Sequence, residues 1–175
     1  MTQDPSTACT AFQGTHLLAR GPLHQIARDH GGACDLLVFD DQSGRVIDID
    51  PRGYPEPQPE KRGPGRPKLG VVPREVTLLA RHWDWLAQQK GGASAALRRL
   101  VDDARRADSG ATEARMARDA AYRFIHALGG DLAGYEEATR ALFAGDLDAF
   151  GAQIAGWPPE MRGFALDLAR GANSP

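Results

Sequence analysis

Leu36-Leu37-Val38-Phe39-Asp40-Asp41-Gln42-Ser43-Gly44-Arg45-Val46-Ile47-Asp48-Ile49-Asp50 is the stretch whose reading decides the fold. Two runs of strand-forming residues, 36–39 and 45–50, flank a polar segment that ends in glycine, and this predicts a β-hairpin. In the second run Ile47 and Ile49 alternate with acids, although Val46 breaks strict alternation, so one face is expected to be solvated and acidic. Upstream, 10–12 and 15–18 are two further apolar runs around the turn signal Gln13-Gly14. Gly21-Pro22 then opens a short helix over 23–29, which Gly31-Gly32 terminates. Residues 1–53 are therefore expected to form a small β-rich unit.

Downstream of the hairpin the character of the chain changes. Prolines at 51, 55, 57, 59, 64 and 67 interrupt a stretch without apolar periodicity. Each proline fixes φ and removes a backbone donor, so 54–70 reads as an extended linker. Residues 71–109 are expected to be a strand-helix-helix unit: strand 71–79, helix 81–89, a glycine turn at 90–93, and a helix over 94–106 capped by the Ser94 hydroxyl. Leu97, Leu100, Val101 and Ala104 form the apolar stripe of that second helix. Trp83 is expected in the core, and Trp85 either at a partner surface or at a half-buried edge. Residues 110–175 read as a helical bundle, with helices over 112–128, 132–144, 147–155 and 158–170 joined at glycine and proline. The class is α+β.

The chain has 175 residues with a formal net charge of −2, enough for one domain or two small ones. No apolar run is long enough to span a membrane, and 1–10 shows no secretory signal. Two cysteines, Cys9 and Cys34, read as reduced thiols in a cytoplasmic protein. The small net charge hides strong segregation. Residues 1–60 carry four Arg against nine acids, 61–109 eleven Lys/Arg against five, and 110–175 six Arg against nine. A basic middle between acidic flanks points to a polyanionic partner for the middle alone, with double-stranded DNA the first candidate.

Within that middle, Lys61-Arg62-Gly63-Pro64-Gly65-Arg66-Pro67-Lys68 resembles an AT-hook, a short peptide that binds the minor groove of A·T-rich DNA. The residue types suit that task. A narrow A·T minor groove has deepened negative potential that favours an inserted Arg66. Gly65 permits close approach, Pro67 keeps the peptide extended, and Lys61, Arg62 and Lys68 reach phosphates. Residues 75–106 resemble a ribbon-helix-helix unit. That resemblance implies a homodimer, base contacts from the strand through Arg74 and Thr77, and phosphate contacts from Ser94 and its neighbouring amides. Arg98 and Arg99, off the apolar stripe, complete the expected DNA-binding set. Glu75 and the run 76–79 depart from the polar-out alternation of that family's strands.

The whole chain resembles a bacterial domain-of-unknown-function group of similar size. The residues that carry this are 37–41, 65–72, 74–79, 81–86, 91–94, 97–101 and 136–143, among them Arg81-His82-Trp83-Asp84-Trp85-Leu86 and Gly91-Gly92-Ala93-Ser94. This group brings no activity with it.

Signals of catalysis are weak. The acids Asp40, Asp41, Asp48 and Asp50 are either a solvated face or, for phosphate chemistry, a Mg²⁺ site. The five histidines show no ligand spacing, and no phosphate-cradling loop, dinucleotide fingerprint or nucleophile elbow occurs. No enzyme, cofactor or metal site is therefore expected. The expectation is a regulatory or nucleoid-associated DNA-binding protein. The alternative is a protein-interaction adaptor, antitoxin-like, that binds a protein partner through its C-terminal helices.

Overall fold

The computed structural model describes residues 3–50, 53–55 and 72–172. The expected α+β class is what it shows: four antiparallel strands near the N-terminus, followed by a helical remainder. The chain divides into two compact units, one formed by 1–58 together with 112–175 and the other by 59–111.

The first unit is built on strands β1 (Ala8–Gln13), β2 (His16–Pro22), β3 (Leu36–Asp40) and β4 (Val46–Ile47) in the order β2-β1-β3-β4. Strand β1 is central, and Cys9, Thr10, Ala11 and Phe12 are all fully buried. Side chains alternate across a strand, so a central strand buried throughout needs cover on both faces. Helix α1 (Leu23–His30) covers one face, where Leu23 and Ile26 pack with Cys9, Ala11, Val38 and Ile47.

The other face is covered from far along the sequence by α4 (Ala111–Leu128), α5 (Tyr135–Ala144), α6 (Leu147–Gln153) and α7 (Pro159–Ala169). Phe12 and Phe39 of the sheet meet Phe124 of α4 and Phe164 of α7, with ring centroids 4.8–6.5 Å apart. Helix α4 presents Ala117, Ala120 and Ala121 to the core, so backbones approach closely. At Gly44, where φ is +64°, an added Cβ would lie 2.1 Å from the Ala120 carbonyl oxygen. Both the left-handed backbone and the lack of space require glycine there.

Polar contacts tie the same parts together. The Leu17 amide on edge strand β2 donates to Glu160 Oε2 at 2.7 Å, and Arg123 donates to the Ser43 carbonyl at 2.8 Å. The Asp146 side chain accepts from the Ala149 amide and caps α6.

Sequence expectations about strands need correction in both units. The second hairpin strand covers only 46–47, not 45–50. The chain leaves the sheet after Ile47 and is held by Tyr54, whose hydroxyl accepts from the Asp50 amide and donates to the Asp48 carbonyl. In the second unit, 72–79 forms no strand. A run of Val, Thr and Leu favours extended backbone, but a strand needs a ladder partner, and none lies beside it among the described residues. Helices α2 (Ala80–Ala87) and α3 (Gly92–Asp108) follow and pack on each other.

Candidate nucleic-acid interface

The expected interface begins with residues 61–68, and Lys61, Arg62, Gly65, Arg66, Pro67 and Lys68 lie outside the described residues. The rest of the set falls in the second unit. Arg74 and Thr77 are exposed on the segment before α2. Ser94, Arg98 and Arg99 lie in the first two turns of α3, also exposed. The arginines are bound back to that end of the helix: Arg98 Nε donates to the Ser94 carbonyl at 3.1 Å, and Arg99 Nη1 donates to the Lys90 carbonyl at 3.3 Å. Neither has a carboxylate partner among the described residues, whereas Arg106 pairs with Asp103 at 2.6 Å. Two guanidinium groups are therefore gathered at one end of α3 without internal neutralisation.

Ser94 is not the cap of α3. The helix starts two residues earlier, at Gly92, after a left-handed Gly91, and has no side-chain cap. No acidic side chain lies in its first turn, and the Gly92 amide donates to the Gln89 carbonyl at 2.9 Å. Geometry brings Ser94, Arg98 and Arg99 together at this end. Nothing in it joins them to Arg74 and Thr77.

Trp83 is also corrected: it is 41% exposed and not in a core. Only Leu86 and Ala96 are buried within 72–111. Leu78, His82, Trp85, Leu86, Leu97 and Leu100 line a groove of about 270 Å³. Sequence reading singled out Trp85 but missed the groove. Its signal was the spacing of His82, Trp85 and Leu86, which places the three on one side of α2, with Leu78 just ahead of the helix.

The acidic hairpin has structural employment. Asp40 Oδ1 accepts from the amides of Gln42 and Ser43, each at 2.8 Å, which shapes the turn. Asp41 accepts from the buried Thr10 hydroxyl at 2.7 Å, and burial pushes its carboxyl above the usual range. Burial, followed by the charges of Asp41 and Asp40, pushes the Cys9 thiol up to about 12. Among the described residues no three His, Cys, Asp or Glu side chains converge as a metal-binding group. Beside the hairpin, Asp40, Arg45, Met116, Asp119 and Arg123 border an open cleft of about 570 Å³, which carries both signs of charge. No sequence signal marked it, because it joins two distant stretches of the chain with no local motif.

No helix among the described residues is long and apolar enough to cross a membrane. No curated protein and no solved structure matches the chain. A family model matches residues 8–169, nearly the whole length, and the chain therefore belongs to the family described as "Uncharacterized protein conserved in bacteria (DUF2239)".

Proposed function

We propose that this is a double-stranded-DNA-binding protein, regulatory or nucleoid-associated, acting in the cytoplasm through its basic middle. In this reading Arg66 enters an A·T-rich minor groove, while Lys61, Arg62 and Lys68 hold phosphates on either side. Arg98 and Arg99, with the amides at the start of α3, supply a second phosphate contact, and Arg74 and Thr77 stand nearest the linker. The observation that carries the reading is the charge segregation: eleven of the 21 Lys and Arg fall in 61–109, around a Gly-Arg-Pro core. The unneutralised Arg98 and Arg99 add to it. Two free cysteines suit a reducing compartment.

The test separates the two contacts. Substituting Arg66→Ala with Lys68→Ala is expected to abolish a preference for A·T-rich over G·C-rich duplex. Substituting Arg98→Ala with Arg99→Ala is expected to weaken both duplexes equally and to flatten the salt dependence, by about 0.9 in logarithmic slope for each phosphate no longer neutralised. Unchanged affinity in the first variant at modest salt removes the hook from the reading.

One observation favours a second reading, an adaptor whose C-terminal helices bind a protein. Phe143 is half-exposed and packs on Tyr122, which stacks on His126, so α4 and α5 present an aromatic patch. Co-purification of a stoichiometric protein partner, abolished by Phe143→Ala, together with no affinity for DNA, would favour the adaptor.

A further inference from the structure

We propose that two copies of this chain pair through residues 72–111, so that the apolar side chains of one copy complete the core of the other. The inference deepens the DNA-binding reading, because pairing brings two basic segments to one duplex, yet it rests on burial alone and is testable without DNA.

Two packed helices make one layer each and leave nothing over their outer apolar surfaces. On α2, His82, Trp83, Trp85 and Leu86 span an arc of roughly 160° at 100° per residue, and Leu78 and Leu79 lie on the extended segment just ahead of the helix. On α3 Ala96, Leu97, Leu100, Val101 and Ala104 span a comparable one. Contact between the two helices buries only Leu86 and Ala96. Ten large apolar side chains are exposed among the described residues, and seven of them lie in 72–111, including Trp83, Trp85, Leu100 and Val101 at 41–55%. Two buried side chains across the described residues 72–111 do not offset the entropy of ordering two helices. Something must cover them.

The amount of surface and its distribution select a second copy. From their fractional exposures, and aromatic areas of roughly 150–250 Å², the seven side chains present about 600 Å², against ~800 Å² per partner in a stable interface. A short foreign peptide fitting the groove of about 270 Å³ would cover Trp85 and Leu100 but leave Val72, Val76 and Val101 in water. A second copy brings a groove and an apolar segment of its own. One two-fold arrangement then covers both sets at once.

The experiment is sedimentation equilibrium on the full chain without DNA. The mass expected is twice 18.8 kDa, falling toward 18.8 kDa on dilution. Leu100→Glu is expected to give monomer at concentrations where the unaltered chain and the control Met116→Ala, at an exposed residue of the other unit, are dimeric. A Leu100→Glu variant that loses helix is replaced by a second reading on the unaltered chain. Across the same dilution, tryptophan emission is expected to shift to the red as Trp83 and Trp85 enter water. A mass of 18.8 kDa at every concentration overturns the proposal. So does a dimer indifferent to Leu100→Glu, an emission unchanged across dissociation, or a different protein held on this groove by a monomeric chain. A dimer without DNA affinity leaves the pairing standing and removes only the DNA reading.

Discussion

Residues 1–58 with 112–175 bury five phenylalanines completely, whereas the described residues 72–111 bury Leu86 and Ala96 and leave two tryptophans half in water. The difference comes from the number of surfaces each architecture must cover. A four-stranded sheet with a fully apolar centre has two faces, and both are covered within the chain, one by α1 and one by α4–α7. In the described residues 72–111, two helices have outer arcs and no third element. The first unit thus closes its own core, whereas the described part of the second leaves apolar side chains exposed. The basic residues assigned to DNA contact fall in the second.

The contrast is broken most severely at the aromatic cluster. Phe164→Ala removes the ring that meets Phe12, Phe39 and Phe124, and should cost about 3–5 kcal/mol in denaturant unfolding. An unchanged midpoint would mean that the shared core is not what holds sheet and helices together. Next comes Gly44→Ala, where a left-handed backbone and the Ala120 carbonyl both oppose a methyl group. Its expected cost is about 2 kcal/mol in the same assay, and a loss within error would show that the hairpin turn is not seated on α4.

Asp41→Asn is expected to act in the opposite direction, and weakly. Burial raises the folded-state pKa of Asp41, so its ionised form disfavours folding. Its favourable contribution is complete below the unfolded value of 3.8 and is lost as pH rises through the folded pKa. Asparagine still accepts from the Thr10 hydroxyl without a charge to desolvate. The Tm of Asp41→Asn should therefore equal or slightly exceed that of the unaltered chain near neutral pH, with the gap closing below pH 3.8. A lower Tm near neutral pH would place the value of that contact in the charge itself. The mildest probe changes no residue. Exposed Cys34 should react with a maleimide in the native protein, and Cys9, buried and held near 12, only after unfolding. Two reactive thiols in the native chain would contradict the burial of β1.

The two units were unequally legible in the sequence. The hairpin turn, α1, α3 and the four C-terminal helices followed from turn residues and helical spacing, which are local signals. The joint core did not: Phe12 and Phe39 meet Phe124 and Phe164 across more than 80 residues, and no local period records such a meeting. The strand expected over 71–79 shows the converse. Val76, Thr77, Leu78 and Leu79 have strand propensity, but propensity becomes a strand only beside a partner. Ser94 suited a cap by residue type, yet Gly91 takes the left-handed turn that starts α3 two residues earlier. For the candidate site, charge segregation was visible at once because it is additive along the chain. The groove was half visible, through Trp85, because a groove depends on which helix faces remain uncovered.

The central claim is that the basic middle binds DNA, and a titration of labelled duplexes tests it most directly. Fluorescence anisotropy of A·T-rich and G·C-rich duplexes, each at two salt concentrations, should show tighter binding to the A·T-rich duplex and a steep loss of affinity with salt. No binding to either duplex at low salt would contradict the account.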